Sequence, residues 1–333
     1  MSGSGAAHVI GAVAIGRNEG ERLRRCLEPL AGEVALVVYV DSGSTDGSVA
    51  LARQLGCEVV ELDPSVGFTA ARARNAGVDR LRARRPELRY AQLVDGDCEI
   101  APGWLARACA RLDARSELAI VCGRRRERHP EASIYNRLCD IEWDGPVGDV
   151  LACGGDAMVR LAALEGVGGF DGRLIAGEEP ELCVRLRQAG WKIERLRAEM
   201  TIHDAAMTRF SQWWRRATRA GHAYAEGALL HGRAPERHGV RETRRIVFWG
   251  GALPAIALGA ALPTMGLSLG LFGGYGLSAY RAYRGARSRG RTREDALPYA
   301  LFTTLGKLPE LLGVIELHAS RLRGARPRLI EYK

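Results

Sequence analysis

A chain of 333 residues that is 47% hydrophobic and 26% charged has ordinary globular composition, which excludes a disordered or fibrous protein and leaves room for one large domain or two. With 48 Lys and Arg against 39 Asp and Glu, its formal charge is +9, a balance that favours anionic partners such as nucleotides, phosphates or acidic lipid headgroups. The eight cysteines fall between Cys26 and Cys183 without a C-x-x-C pair, which excludes a zinc ribbon or a thioredoxin-type motif and predicts reduced thiols in a cytosol-facing domain. The opening residues show no basic stretch leading into a long apolar one, so no secretory signal is expected.

Strand and helix signals alternate along the first part of the chain. Residues 9–15 are apolar and β-branched, and Leu23, Cys26, Leu27 and Leu30 then mark one helical face. Residues 34–40 form a nearly continuous apolar run, as expected of a parallel strand buried on both faces. Asp46 is placed to cap a helix carrying Val49, Ala52 and Leu55 that stops at Gly56. A third strand is predicted over 58–62, a helix over 70–84 ending before Pro86, and a fourth strand over 90–94. Pro102 suits the first turn of a helix with Leu105, Ala108, Cys109 and Leu112, and 118–122 reads as a fifth strand. Repeated β-α units predict an α/β fold with a doubly wound, mostly parallel sheet and ligands at the carboxyl ends of its strands.

The last hundred residues read differently. Residues 246–280 contain no charged residue, and arginines flank the run on both sides: Arg244 and Arg245 before it, Arg281, Arg284, Arg287, Arg289, Arg291 and Arg293 after it. A spanning helix needs about 20 apolar residues. Basic residues at both ends favour a hairpin broken near Pro263 or Gly273-Gly274, because a hairpin returns both ends to the cytoplasmic side. Residues 296–317 are apolar but carry Lys307, Glu310 and Glu316, which predicts an amphipathic helix lying in the interface. The expected division is a domain over 1–235 that carries the chemistry and a helical, membrane-associated region over 236–333. With the arginines explained as membrane flanks, no nucleic-acid partner is expected.

Acids gather where the predicted strands end. Asp41 opens the loop Ser42-Gly43-Ser44-Thr45-Asp46-Gly47, whose small residues let backbone approach a ligand, although the same residues also satisfy a plain turn and helix cap. Asp95-Gly96-Asp97 places two carboxylates beside one glycine. Their mutual repulsion calls for a cation, and hard Mg²⁺ or Mn²⁺ with substrate phosphates suits oxygen ligands; a solvated turn is the alternative. Glu178 and Glu179 precede Pro180 at a predicted helix start, where the dipole favours the ionised carboxylate that a general base must be, or merely a capping acid.

In this order and spacing, these motifs resemble the inverting family 2 glycosyltransferases of GT-A fold, in their membrane-associated, bacterial-type form. Residues 14–19 are similar to the family's opening strand and loop, 40–47 to its nucleotide loop, and Gly67-Phe68 with residues 74–77 to the helix that follows. Asp95-Gly96-Asp97 is similar to the D-x-D metal motif, residues 154–158 to the acceptor-side loop, residues 168–171 to the segment before the acids, and Glu178-Glu179 to the Glu-Asp pair. The resemblance covers residues 9–225. It implies a nucleotide site at Asn18, Glu19, Asp41, Ser42, Gly43, Arg74, Asp95 and Gly96. It implies Mg²⁺ or Mn²⁺ ligands in Asp97, Asp95 and His203, and Glu179 as catalytic base with Glu178 as the alternative.

On the acceptor side the resemblance implies Gly155 and Asp156, together with Trp213, Trp214 and Arg215 from a segment partly similar to the Q-x-x-R-W motif of processive synthases. Arg216 stands where that motif has Trp. The tryptophans can stack on sugar faces and the arginines can pair with a diphosphate, or the segment can be an amphipathic helix at a membrane. The implied reaction moves a sugar from a UDP-sugar donor to an acceptor hydroxyl, the acceptor being a glycan or lipid-linked glycan at the inner surface of the cell membrane, in polysaccharide assembly. A nucleotidyltransferase would need a better Gly-rich basic loop than residues 16–20. A non-catalytic nucleotide-sugar-binding scaffold would not need Asp95, Asp97 and Glu179.

Overall fold

The computed structural model describes residues 8–324. Residues 1–7, which bear on the secretory-signal expectation, and residues 325–333 lie outside the described residues. The structure falls into two compact units. The first holds the described residues up to Arg128 together with Glu142–Ala205, and the second holds His129–Ile141 and the described residues from Ala206 onward.

The first unit is built on one sheet. Strands β1 (Ile10–Gly16), β2 (Leu36–Asp41), β3 (Glu58–Glu61) and β4 (Tyr90–Asp95) run parallel, with helices α1 (Glu21–Leu27), α2 (Ser48–Gln54) and α3 (Ala70–Arg84) between them. The apolar runs of β1, β2 and β4 are buried on both faces, as parallel strands under helical crossovers require, while the edge strand β3 is only half-buried. After β5 (Cys98–Ile100) and α4 (Trp104–Ala114) come β6 (Leu118–Glu127), α5 (Ile134–Trp143), which belongs to the second unit as far as Ile141, and then β7 (Gly148–Asp149), β8 (Ala157–Arg160), α6 (Leu161–Gly166), α7 (Glu178–Gln188) and β9 (Lys192–His203). The strand order is β3-β2-β1-β4-β8-β6-β9-β5, with β7 also paired to β9.

The sheet is therefore mixed rather than mostly parallel, because β8 runs antiparallel to both neighbours, β4 and β6. The chain leaves β6 at the carboxyl edge, pairs β7 with the amino half of β9, and returns to the carboxyl edge to enter β8 with Ala157 opposite Leu93. A strand entered from that edge must run down against β4, and its entry loop lies beside the end of β4.

Local signals differ from expectation in three places. Asp46 bonds the Ser48 N–H and hydroxyl through Oδ1, at 3.1 and 2.6 Å, yet Gly47 holds the cap position of α2. Pro102 precedes α4 instead of sitting in it. Strand β6 continues past Cys122 through Arg124, Arg125 and Arg126, paired there with the charged strand β9, for which the sequence predicts no strand. Glu194 of β9 is held bidentately by Arg111 at 2.8 Å, so charge does not prevent these residues from joining a sheet.

The second unit is helical: α8 (Phe210–His231), α9 (Val240–Val247), a π-helical turn (Phe248–Ala252), α10 (Leu253–Gly259), α11 (Gly273–Ser288), α12 (Arg293–Leu305) and α13 (Lys307–Leu322). Within this unit α8 packs along α13. The two helices touch through glycines. A Cβ on Gly221 would lie 1.9 Å from the Glu310 carbonyl, and one on Gly313 would lie 1.9 Å from the Thr218 carbonyl. Backbone cannot yield as a side-chain tip can. Gly221→Ala is therefore expected to destabilise this unit by about 1–3 kcal/mol, read as an earlier transition in denaturant.

The uncharged run folds as a hairpin whose bend, between α10 and the 3₁₀ segment Leu267–Phe272, contains Pro263. Residues 296–317 form parts of two helices rather than one. A Pro309 ring inside a continuing helix would clash with the Leu305 carbonyl, so α12 ends at Leu305 and Pro309 sits in the first turn of α13. Among the described residues no helix is long and apolar enough to cross a membrane.

Candidate active site

Four strand ends of the first unit converge: those of β1, β2, β4 and β9. Asn18 follows β1 in a left-handed conformation, φ 56°, and ties two loops together. Its N–H donates to Ser44 Oγ at 2.9 Å and its Oδ1 accepts from the Thr45 N–H at 2.7 Å. Asp41 is buried. Oδ1 accepts from Tyr39 Oη at 2.9 Å, and Oδ2 accepts from the N–H groups of Gly43 and Ser44 at 2.9 and 2.7 Å. Burial, with Asp41 next to it, holds the Tyr39 phenol well above its ordinary pKa, so it stays a donor. Asp41 thus shapes the loop of Ser42 and Gly43, and Ser42 N–H donates to the Gly16 carbonyl at 3.0 Å. Glu19 pairs with Arg22 at 3.0 Å, and a Cβ on Gly96 would sit 3.1 Å from its Cγ.

A buried charge network joins the end of β4 to α3, α7 and the loop before β8. Arg74 donates through Nη2 to Asp95 Oδ1 and through Nη1 to Glu178 Oε1, both at 2.8 Å. Burial alone would lower the pKa of this guanidinium, but Asp95, Glu178 and Asp156 together raise it above its ordinary value. Asp156, fully buried, accepts from the Asp95 N–H at 3.0 Å and from Thr201 Oγ1 at 2.8 Å, and pairs with Arg125 Nη2 at 2.9 Å. The same Arg125 nitrogen lies 3.7 Å from Asp95 Oδ2, and its guanidinium sits 5.5 Å over the Trp143 ring. Gly155, at φ 100°, leaves room for Arg125 there, since a Cβ would meet its Nη2 at 3.1 Å.

Of the three expected metal ligands, the structure brings two together. Asp97 Oδ2 and His203 Nε2 are 3.2 Å apart and both buried, with the Trp143 ring edge-on to the imidazole at 4.7 Å. Octahedral Mg²⁺ or Mn²⁺ at roughly 2.1 Å from each donor places adjacent donors about 3 Å apart, so a carboxylate and an imidazole at this separation fit such an ion. Asp95 instead pairs with Arg74 and Arg125. Cys98 also lies within 4.8 Å of the pair, but burial pushes its thiol well above the ordinary range. A protonated thiol is a poor ligand for a hard cation.

The acidic pair at the start of α7 divides between two environments. Glu178 is committed to Arg74. Glu179, buried, accepts the Cys153 N–H on Oε1 and lies 3.1 Å from Cys183 Sγ. Burial pushes the Cys183 thiol well up, and Cys153 and Glu179 push the same way, so its neighbour is a neutral thiol. Cys153 directly precedes Gly154-Gly155, so Glu179 is fastened to the loop that leads into β8.

Trp213, Trp214 and Arg215 lie on α8, in the second unit. Trp213 is buried against Phe302, ring centroids 4.8 Å apart, so its face is not offered to a sugar. Gln212 of the same segment bonds the N–H groups of Thr208 and Arg209 at 3.0 and 2.9 Å and so caps its own helix. Arg125, Trp143 and Cys153 are site residues that motif reading misses. The available signals were the triple arginine ending β6 and a cysteine abutting Gly-Gly.

Residues 13–145 match the Glycosyl transferase family 2 domain. Among curated relatives, Glycosyltransferase AglE of Haloferax volcanii is 25% identical over 191 residues, 53% of this chain and 60% of that protein. Succinoglycan biosynthesis protein ExoA of Rhizobium meliloti is 30% identical over 185 residues, 52% of this chain and 54% of that protein. The chain thus spans a little over half the length of these two relatives. Among solved structures, the mannosyltransferase PcManGT from Pyrobaculum calidifontis, in complex with GDP-Man and Mn²⁺, superposes with a TM-score of 0.59 at 18% identity, covering 93% of this chain and 87% of that one. The mixed sheet, entered in reverse by β8 beside the acids of β4, is the GT-A fold, and within it residues 13–145 match the glycosyl transferase family 2 domain.

Proposed function

We propose that this protein transfers a sugar from a nucleoside diphosphate sugar, with UDP as the first nucleotide to test, to an acceptor hydroxyl with inversion. The acceptor is a glycan or a lipid-linked glycan in polysaccharide assembly. The observation that carries this reading is the Asp97–His203 pair at 3.2 Å beside the Asp95–Arg74–Glu178 network, with Arg74, Asp95 and Asp97 inside the stretch that matches the family 2 domain. The loops fastened by Asn18 and Asp41 offer small residues and backbone amides to the nucleoside. Asp97 and His203 would hold Mg²⁺ or Mn²⁺, which supplies positive charge to the leaving diphosphate. Arg74 and Arg125 fix the Asp95 carboxylate from two sides.

Glu179 serves as base because it faces an amide and a neutral thiol. Taking up a proton there breaks no ion pair, whereas Glu178 would surrender Arg74. As the acceptor oxygen bonds to the anomeric carbon from the face opposite the diphosphate, its proton passes to Glu179. The carbon–oxygen bond to the diphosphate breaks, and a single displacement inverts the centre.

The test is turnover by the full chain with a panel of UDP- and GDP-sugars in Mn²⁺, Mg²⁺ or chelator. GDP-mannose belongs in the panel because the structure of similar fold holds it. Divalent-dependent release of nucleoside diphosphate from one donor is expected. Pyrophosphate release from a nucleoside triphosphate and a sugar phosphate would establish the nucleotidyltransferase instead, and binding without turnover of any donor would establish the scaffold.

A further inference from the structure

From Thr243 to Arg293 the chain holds eight arginines and no Asp or Glu. The structure sorts this stretch by height along the hairpin. At the bend, Leu262, Met265 and Leu267 are 92%, 97% and 83% exposed, and Ile256, Leu258 and Phe272 extend the apolar surface onto both arms. Deeper in, Ile246, Leu253 and Ala257 are buried and Gly250 abuts the Lys307 carbonyl, so the base of the hairpin is anchored on α13 while the tip projects unpartnered. Arg281, Arg284 and Arg287, exposed, follow at three-residue spacing along one side of α11. Trp249 and Tyr275 join the two arms between tip and arginines, ring centroids 5.6 Å apart.

We propose that this hairpin tip inserts into a single leaflet of an anionic lipid bilayer. Two observations choose this occupant. An apolar patch of this exposure calls for cover, but a second copy of the same face brings no carboxylate to answer the arginines, whereas anionic headgroups do. The uncharged part of α11, from Gly273 to Tyr280, is eight residues long, about 12 Å at 1.5 Å per residue. That length reaches into one leaflet and falls well short of the roughly 30 Å hydrocarbon core. The arginines then lie at headgroup level, with the Trp249–Tyr275 pair just below them, where amphipathic rings settle. This inference does not rest on the transfer reaction, and its test uses no nucleotide sugar.

The experiment is flotation of the full chain with vesicles of phosphatidylcholine alone or mixed equally with phosphatidylglycerol. Co-flotation with the anionic vesicles is expected, weakening with salt. Leu262→Asp with Met265→Asp should abolish it while leaving the thermal transition unchanged, since both side chains are solvent-exposed. Arg284→Ala and Arg287→Ala should each weaken anionic binding about fivefold. In bound protein, an impermeant maleimide should label Ser288→Cys and spare Leu262→Cys. Flotation that survives the double aspartate change, or a Leu262→Cys thiol that still labels in vesicles, would overturn the proposal. So would a lipid-free dimer that the aspartates dissociate, since a second copy would then be the occupant.

Discussion

Replacing Glu179 by Gln is expected to lower the rate of sugar transfer by about 10²–10⁴-fold, the usual contribution of a positioned base, while donor affinity stays near that of the native protein. The amide preserves the shape of the side chain, and its Oε1 can still accept the Cys153 N–H, so the loop before β8 keeps its fastening. What it loses is the ability to take the proton. Glu178→Gln should behave differently. It removes a charge partner of Arg74, whose other hand holds Asp95, so the donor KM should rise more than kcat falls. The pair of variants, assayed for KM and kcat separately, decides the roles. If Glu178→Gln is inactive and Glu179→Gln still transfers, the two residues exchange assignments.

Asp97→Ala should abolish the part of nucleoside diphosphate binding that depends on a divalent ion. His203 alone offers one nitrogen donor, and Asp95 is already engaged by two arginines. Loss of a direct ligand should exceed the roughly 10–100-fold cost of losing an outer-sphere partner. Calorimetry with UDP, in Mn²⁺ and in chelator, reads the effect: the native protein should bind tighter with the ion, and the variant equally in both. His203→Ala should follow the same pattern. A variant that keeps the full Mn²⁺ dependence would remove Asp97 from the metal site.

Much of this protein is written in local pattern. The parallel strands β1 to β4 and the helices between them follow from apolar runs, turn glycines and the stop before Pro86, because each of those elements buries its own stretch and ends on its own signal. The acids at their carboxyl ends are legible for the same reason: a carboxylate beside a glycine at the end of a buried strand sits where ligands bind, whatever the rest of the chain does. The hairpin bend at Pro263 and the flanking arginines are local facts as well.

What the sequence could not decide is pairing. Strand β9 has five charged residues among its twelve and becomes a strand because β5, β6 and β7 pair with it and Arg111 answers Glu194. The reversal of β8 follows from which edge the chain re-enters, a property of the path from residue 128 to residue 156 and of no single residue. Two adjacent glutamates look alike in sequence. In the fold Glu178 meets an arginine 104 residues away, and Glu179 meets a backbone N–H 26 residues away. Trp213 has the composition of a sugar platform, but packing against Phe302 makes it core. Residue type and spacing determine which groups can do chemistry; partners distant in sequence determine which of them are already engaged and which still face a ligand.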